Sequence, residues 1–281
     1  MKNTMRALGL LMILTVAAGA VFAGGGKETA KITKLADLEG KVVAFVSSPQ
    51  DPAMIRAFAE MQINVKFKDM FLYETSAAAI AAVKSNKVDA FLGPRITLYF
   101  YDSRNKDLMT LDAIPVGTTS MHMALRAADT ELRDNINAAL ISMKNDGTLA
   151  RLEREFISNL TPDRQLAGKD MPRFAGAPTL TVGLSGDLPP ADYVAANGRP
   201  AGYNTELLAL LSEKLQVNFE INVMPLESKF PALASGRIDI FFFQASNPDM
   251  EFTRRTMERN NNITLTEAYY EFADWGYLIR K

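Results

Sequence analysis

Two serines stand ahead of a helix start in this chain: Ser47 and Ser48 precede Asp51-Pro52. Aspartate caps the free N–H groups of a first turn, and proline fits that turn because it has no N–H to lose. Free N–H groups and the helix dipole favour an anion at such a point, so Ser47 and Ser48 are candidate ligand contacts. Plain helix capping accounts for the same residues equally well, and Asp51 would oppose an anion if its carboxylate faced the site. His122, the one histidine, sits in the apolar run "SMHMAL". With no second histidine and no cysteine it cannot belong to a strong zinc site, and it reads as structural. Zero cysteines also exclude disulfides and a cysteine nucleophile. Glycine patterns of the phosphate-loop or dinucleotide type are absent. No catalytic residue, metal or cofactor is expected.

The elements that must position these residues alternate between strand and helix. "KVVAFV" is a short apolar strand, and Met54, Phe58 and Met61 then recur at helical spacing. Val65 and Phe67 alternate as in a strand, Ile80 and Val83 share a helix face, and "VDAFL" gives another strand. Such β-α-β-α-β order predicts a mainly parallel sheet covered by helices. A strand around Met121 to Leu125 follows. Leu132, Ile136, Leu140 and Met143 then form one helical stripe, and Leu149, Leu152 and Phe156 a second, with Gly147 ending the first helix. After the Pro- and Gly-rich stretch "TPDRQLAGKDMPRFAGAP", a second α/β region begins at Thr179. Its helix turns Leu207, Leu208, Leu211 and Leu215 inward.

The 281 residues carry a net charge of −1, which offers no electrostatic pull toward nucleic acid. Lys2 and Arg6, the apolar run Ala7 to Ala20, and Val21-Phe22-Ala23 before three glycines read as a signal peptide over residues 1–23. The apolar run falls short of the ~20 residues a spanning helix needs, so the mature chain is expected to be exported, periplasmic or extracellular, without stable membrane insertion. Lacking a cysteine, it is not a lipoprotein.

Several segments resemble the family 3 (amino-acid type) extracellular solute-binding proteins, in an unusual order. "LTVGLSGDLPPADYVAANGRPAGYNTELLALLSEKL", "LASGRIDIFFFQAS" and "TMERNNNITLTEAYY", near the end, are similar to the family's opening lobe. "LADLEGKVVAF", "NKVDAFLG" and "DTELRDNINAALISMKNDGTLARLEREF", near the start, are similar to its second lobe and C-terminal helices. The resemblance implies an α/β fold of the periplasmic binding protein-like II type, two lobes with a hinge and an interlobe cleft, circularly permuted. Residues 31–117 form the second-type lobe, 118–160 the C-terminal part of the first-type lobe, 161–178 the permutation linker, and 179–281 the N-terminal part of the first-type lobe. One covalent crossing is expected near Pro115 to Thr119, the other being open between Lys31 and Lys281. A lobe-swapped dimer competes with self-completion, which makes a monomer the simpler expectation.

The resemblance also implies a job: capture of a small carboxylate-bearing solute, an amino acid or related, for the permease of an ABC transporter. Thr256, Glu258 and Arg259 fit the family's carboxylate-holding "T-x-E-R" turn, where a guanidinium offers two parallel donors. Several extra residues between Ser246 and Thr256 leave Arg254 and Arg255 as alternatives. Ser246 matches a hydroxyl donor to the same ligand group. Pro94 stands where the family has an aspartate for the ligand ammonium, so another acid substitutes or the ligand lacks that group. Asp187 and Glu206 are candidates for the acid. Leu188 and Leu226 stand where aromatic rings clamp the ligand; Tyr193 and Trp275 could supply rings. Two other functions stay open: a dehydratase-like cleft enzyme of this fold acting on a small ring acid, and a ligand-sensing module for a membrane receptor.

Overall fold

A computed structural model describes residues 31–48, 50–111, 114–162, 164, 167–246 and 251–281. The expected signal peptide lies outside these residues. After a 3-10 turn at Leu35–Leu38, the leading lobe consists of β1 (Val42–Val46), α1 (Pro52–Ile63), β2 (Asp69–Tyr73), α2 (Ser76–Lys84), β3 (Ala90–Pro94), α3 (Arg95–Asp102) and β4 (Leu108–Thr110). Strand β5 (Ile114–Arg126) passes into the trailing lobe, where α4 (Thr130–Asn145) and α5 (Thr148–Glu153) follow. The trailing lobe continues with β6 (Thr179–Leu184), a small sheet of β7 (Asp187–Leu188), β8 (Asp192–Val194) and β9 (Pro200–Ala201), then α6 (Tyr203–Leu215) and β10 (Asn218–Val223). It is completed by α7 (Lys229–Ala234), β11 (Ile240–Ser246), α8 (Glu251–Asn261), β12 (Ile263–Leu265) and β13 (Tyr270–Arg280).

The main sheet runs β10-β6-β11-β5-β13-β3-β1-β2. Its outer strands are parallel within each lobe: β10, β6 and β11 on one side, β3, β1 and β2 on the other. Between them the long strands β5 and β13 pair antiparallel. β13 begins opposite β5, with Tyr270 facing Met121, and ends opposite β3, with Ile279 facing Ala90. Both crossings between lobes are therefore made by strands. The open second crossing expected from the sequence is not found, and the tail of β13 belongs to the leading lobe.

The trailing core forms as the apolar stripes require. Ile136, Leu140 and Met143 of α4 and Leu207, Leu208 and Leu211 of α6 share one buried cluster. Gly147 adopts φ 79° between α4 and α5, a conformation with little cost only for glycine. In the leading lobe α1 forms, but Met54, Phe58 and Met61 are exposed. The neighbouring stripe of Ile55, Ala59 and Ile63 faces the core instead. Buried Glu60 fixes that face: it accepts from Arg56 and Lys66 at 2.8 Å and from the Phe67 N–H at 3.0 Å. Among the described residues no helix is long and apolar enough to cross a membrane.

Candidate functional site

A cavity of about 460 Å³ lies between the lobes. It sits where the parallel strands of both lobes end: Val46 of β1, Pro94 of β3, Val223 of β10, Ser185 after β6 and Ala245 of β11 line it. Carboxyl ends of parallel strands are the usual ligand site of α/β sheets, because connecting loops diverge there and leave a crevice. Its walls are apolar. Trp275 lines it and stacks on Phe45, with ring centroids 5.9 Å apart. Leu188 and Leu226 are among its lining residues. Tyr193 packs elsewhere, 5.8 Å from the Phe100 ring. Phe243, also on the cavity, holds φ at 70° where β11 shifts register. A bulky residue in that region is strained, and such strain gathers at ligand sites.

Two helix starts approach this cavity, that of α1, preceded by the lining residues Ser48 and Gln50, and that of α2, with the lining residues Thr75 and Ser76. Asp51 caps α1 itself, its Oδ1 accepting from the Ala53 N–H at 2.9 Å, so the position of an anion at α1 is already filled. Ser47 donates its backbone N–H to the Tyr73 carbonyl at 2.7 Å and is not among the lining residues. Ser48 is, with its Oγ buried and without a hydrogen-bond partner. At the start of α2, Thr75 Oγ1 accepts from the Ala78 N–H at 3.1 Å. Asp187, on the trailing lobe, reaches across and takes the Ser76 and Ala77 N–H groups of the leading lobe in its carboxylate. Burial pushes the Asp187 carboxyl above its ordinary range, and those N–H groups pull it back only in part. Thr75 and Ser76 went unnoticed in the sequence, although "ETSAAAI" is a legible helix start.

The arginines stand apart from the cavity. Arg259 lies on α8, exposed, and does not line it. Arg255 is exposed and holds Glu251 at 2.9 Å. Arg254 is more enclosed, 4.0 Å from Glu258, and its charge acts on His122. Residues 251–261 form a helix that turns Met257 and Asn261, not Arg259, to the cavity. Ser246 is tied to the His122 Nε2 at 2.8 Å, while Nδ1 meets the Thr266 carbonyl at 2.8 Å. The carbonyl requires Nδ1 to donate, so Nε2 accepts the Ser246 hydroxyl hydrogen. Burial, aided by the Arg254 charge, holds the ring below its ordinary value and hence neutral. The Ser246 hydroxyl is thereby committed to the ring of His122, which ties it to the Thr266 carbonyl.

Glu206 pairs with Lys169 of the linker at 2.7 Å and supports structure. Pro94 lines the cavity, so no carboxylate occupies that position. Beneath the cavity floor lies a group the sequence reading missed. Lys229 is fully buried, donating to Ser185 Oγ at 2.8 Å and the Phe242 carbonyl at 3.1 Å. Burial brings its pKa down to about 8 against the opposing pull of Asp192. Asp192, itself buried, accepts from the Gly186 N–H at 2.7 Å and Asn204 at 3.0 Å. No cluster of metal-ligating side chains occurs among the described residues.

Residues 180–281 match the sequence profile of the bacterial extracellular solute-binding proteins, family 3, and residues 2–138 match a second, "NMT1/THI5 like". A curated relative, the probable amino-acid-binding protein YxeM of Bacillus subtilis (strain 168), is 27% identical over 143 residues. That region is 50% of this chain and 52% of the relative, so the chain spans about half the relative's length. Among solved structures, the ligand-binding core of GluR0 from Nostoc punctiforme with L-glutamate is 12% identical, with a TM-score of 0.41 over 86% of this chain and 85% of that one. An ancestral arginine-binding protein bound to arginine is 12% identical, with a TM-score of 0.42 over 87% and 86%. The resemblance to family 3 thus holds over the trailing part of the chain. The fold is α/β, its two lobes joined through strands β5 and β13 of one sheet. The family 3 profile describes solute-binding proteins, and the named relative is a probable amino-acid-binding protein.

Proposed function

We propose that this chain is an exported solute-binding protein that closes two lobes on a small organic solute and presents it to the permease of an ABC transporter. The observation that carries this reading is the cavity between the lobes, bounded by the strand ends of both. Strands β5 and β13 together form the hinge, and rotation about them opens and shuts the crevice. A solute that touches both walls favours the shut form by its differential affinity. A carboxylate held by Arg259 is not part of the proposal, since that side chain stands exposed on α8.

Circular permutation is part of it. The end of β13 and the start of the leading lobe share one apolar cluster, in which Tyr277 and Ile279 meet Leu38 and Val43, with Ile32 packed against it. The linker lies along the trailing lobe, where Phe174 and Lys169 hydrogen-bond to Asn218 and Glu206. Trp275 is the single tryptophan and lines the cavity, so its emission reports on occupancy. Titration with a panel of amino acids and other small solutes is expected to change that emission saturably for at least one of them and to reduce the radius of gyration. No response to any solute of a broad panel overturns the capture reading.

A further inference from the structure

We propose that, granted solute capture in this cleft, the solute it selects is an apolar amine rather than a carboxylate, with Asp187 as the counter-charge of its ammonium. The charged residues on the cavity are Glu74 and Asp187, both acidic; the described lining holds no arginine, lysine or histidine. Both nearby helix N-termini are filled by the chain's own carboxylates, α1 by Asp51 and α2 by Asp187. An anionic solute therefore finds neither a guanidinium nor a free helix end. Lys229 does not change this. Its ammonium is fully enclosed behind Ser185, bonded to the hydroxyl and to the Phe242 carbonyl, and Asp192 answers its charge.

A cationic solute finds partners. A carboxylate has about four acceptor positions, and Asp187 commits those that meet the Ser76 and Ala77 N–H groups and the Ser76 hydroxyl. The remainder suit the ammonium's donors. Ser76, fully buried, is a lining residue whose hydroxyl sits at the Asp187 carboxylate, and the Ser48 Oγ, also on a lining residue, is buried without a hydrogen-bond partner. These hydroxyls are acceptors matched to the other ammonium hydrogens. Rings of Phe45, Phe91, Phe243 and Trp275 enclose the apolar remainder, and aromatic faces attract a cation as well as burying hydrocarbon.

The test uses the full chain and a matched trio: 2-phenylethylamine, 2-phenylethanol and 3-phenylpropanoate. Calorimetry and Trp275 emission are expected to rank the amine first, at least about tenfold tighter than the carboxylate, the factor that one net charge-assisted hydrogen bond supplies. Asp187→Asn should lower the amine-to-alcohol affinity ratio by about tenfold, and Ser76→Ala should lower it less; thermal melts show whether each variant is folded. A merely structural Asp187 would weaken amine and alcohol alike, leaving the ratio where it was, and that result overturns the assignment. Equal or tighter binding of the carboxylate also overturns it, while leaving solute capture standing. Failure of all three probes overturns the amine class too; the broad panel then judges capture separately.

Discussion

Asp187→Ala should open the clamp in the absence of solute. The side chain bridges the lobes by accepting the Ser76 and Ala77 N–H groups, the second at 3.3 Å. A hydrogen bond to an ionised acceptor contributes about 1.5–3 kcal/mol net, and the longer Ala77 bond adds less. Against this stands the cost of desolvating the carboxylate, which the upward push on its pKa reveals. Because the hydrogen-bond figure is already net of desolvation and the carboxylate is unfavourably buried, its lower end applies, about 1.5 kcal/mol favouring the shut form. That is about a tenfold shift in the shut-to-open ratio. Small-angle scattering of the solute-free protein should show a larger radius of gyration in Asp187→Ala, and Trp275 emission should shift red as its ring meets water. Asp187→Asn, which keeps one acceptor oxygen, should fall between. If alanine changes neither the scattering nor the emission, the bridge carries no weight in closure and the reasoning fails.

Other outcomes follow from the same contacts. Lys229→Met removes the cation that answers Asp192 and strips the donor from Ser185 and Phe242; urea unfolding should show a loss of about 2–4 kcal/mol. Adding Asp192→Asn should restore part of it, and a double variant no better than the single one would contradict the coupling. Glu60→Gln tests a pH window. Burial alone would raise the Glu60 pKa, but hydrogen bonds from Lys66, Arg56 and the Phe67 N–H bring it from 4.5 down to about 2. A lowered folded-state value stabilises above the unfolded one, so the wild-type advantage over Glu60→Gln should hold at neutral pH and vanish as pH falls from 4.5 toward 2. Arg259→Ala should leave solute affinity unchanged, as calorimetry will read. A rearranged chain that starts at residue 179, joins residue 281 to residue 31 and stops at residue 160 should give the same circular dichroism and solute response.

What was legible in the sequence, and what was not, divides along a physical line. The stripes of α4 and α6 were readable because one face of each meets an apolar core, and burial follows periodicity directly. On α1 two apolar stripes compete, and periodicity could not say that Ile55, Ala59 and Ile63 would win over Met54, Phe58 and Met61. The deciding term is Glu60, whose partners Lys66 and Phe67 lie beyond the helix and tie that face inward. Leu188 and Leu226 were named from a family resemblance, which carries positions along with it, and both line the cavity. Arg259 was misplaced for the same reason: residues 251–261 form a helix here, so a matching motif no longer points a guanidinium at the ligand. Asp187 could be named from the loop but not its partner, since the contact with Ser76 joins residues 111 positions apart across two lobes. Interlobe contacts leave no trace in local pattern; they exist only through the hinge geometry of β5 and β13. That places the chain's selectivity where its sequence is least readable. The carboxylate that an anionic ligand would supply to the α2 N-terminus is contributed by the protein itself, so the recognition problem left to the solute is the opposite one, a cation for a carboxylate already in position.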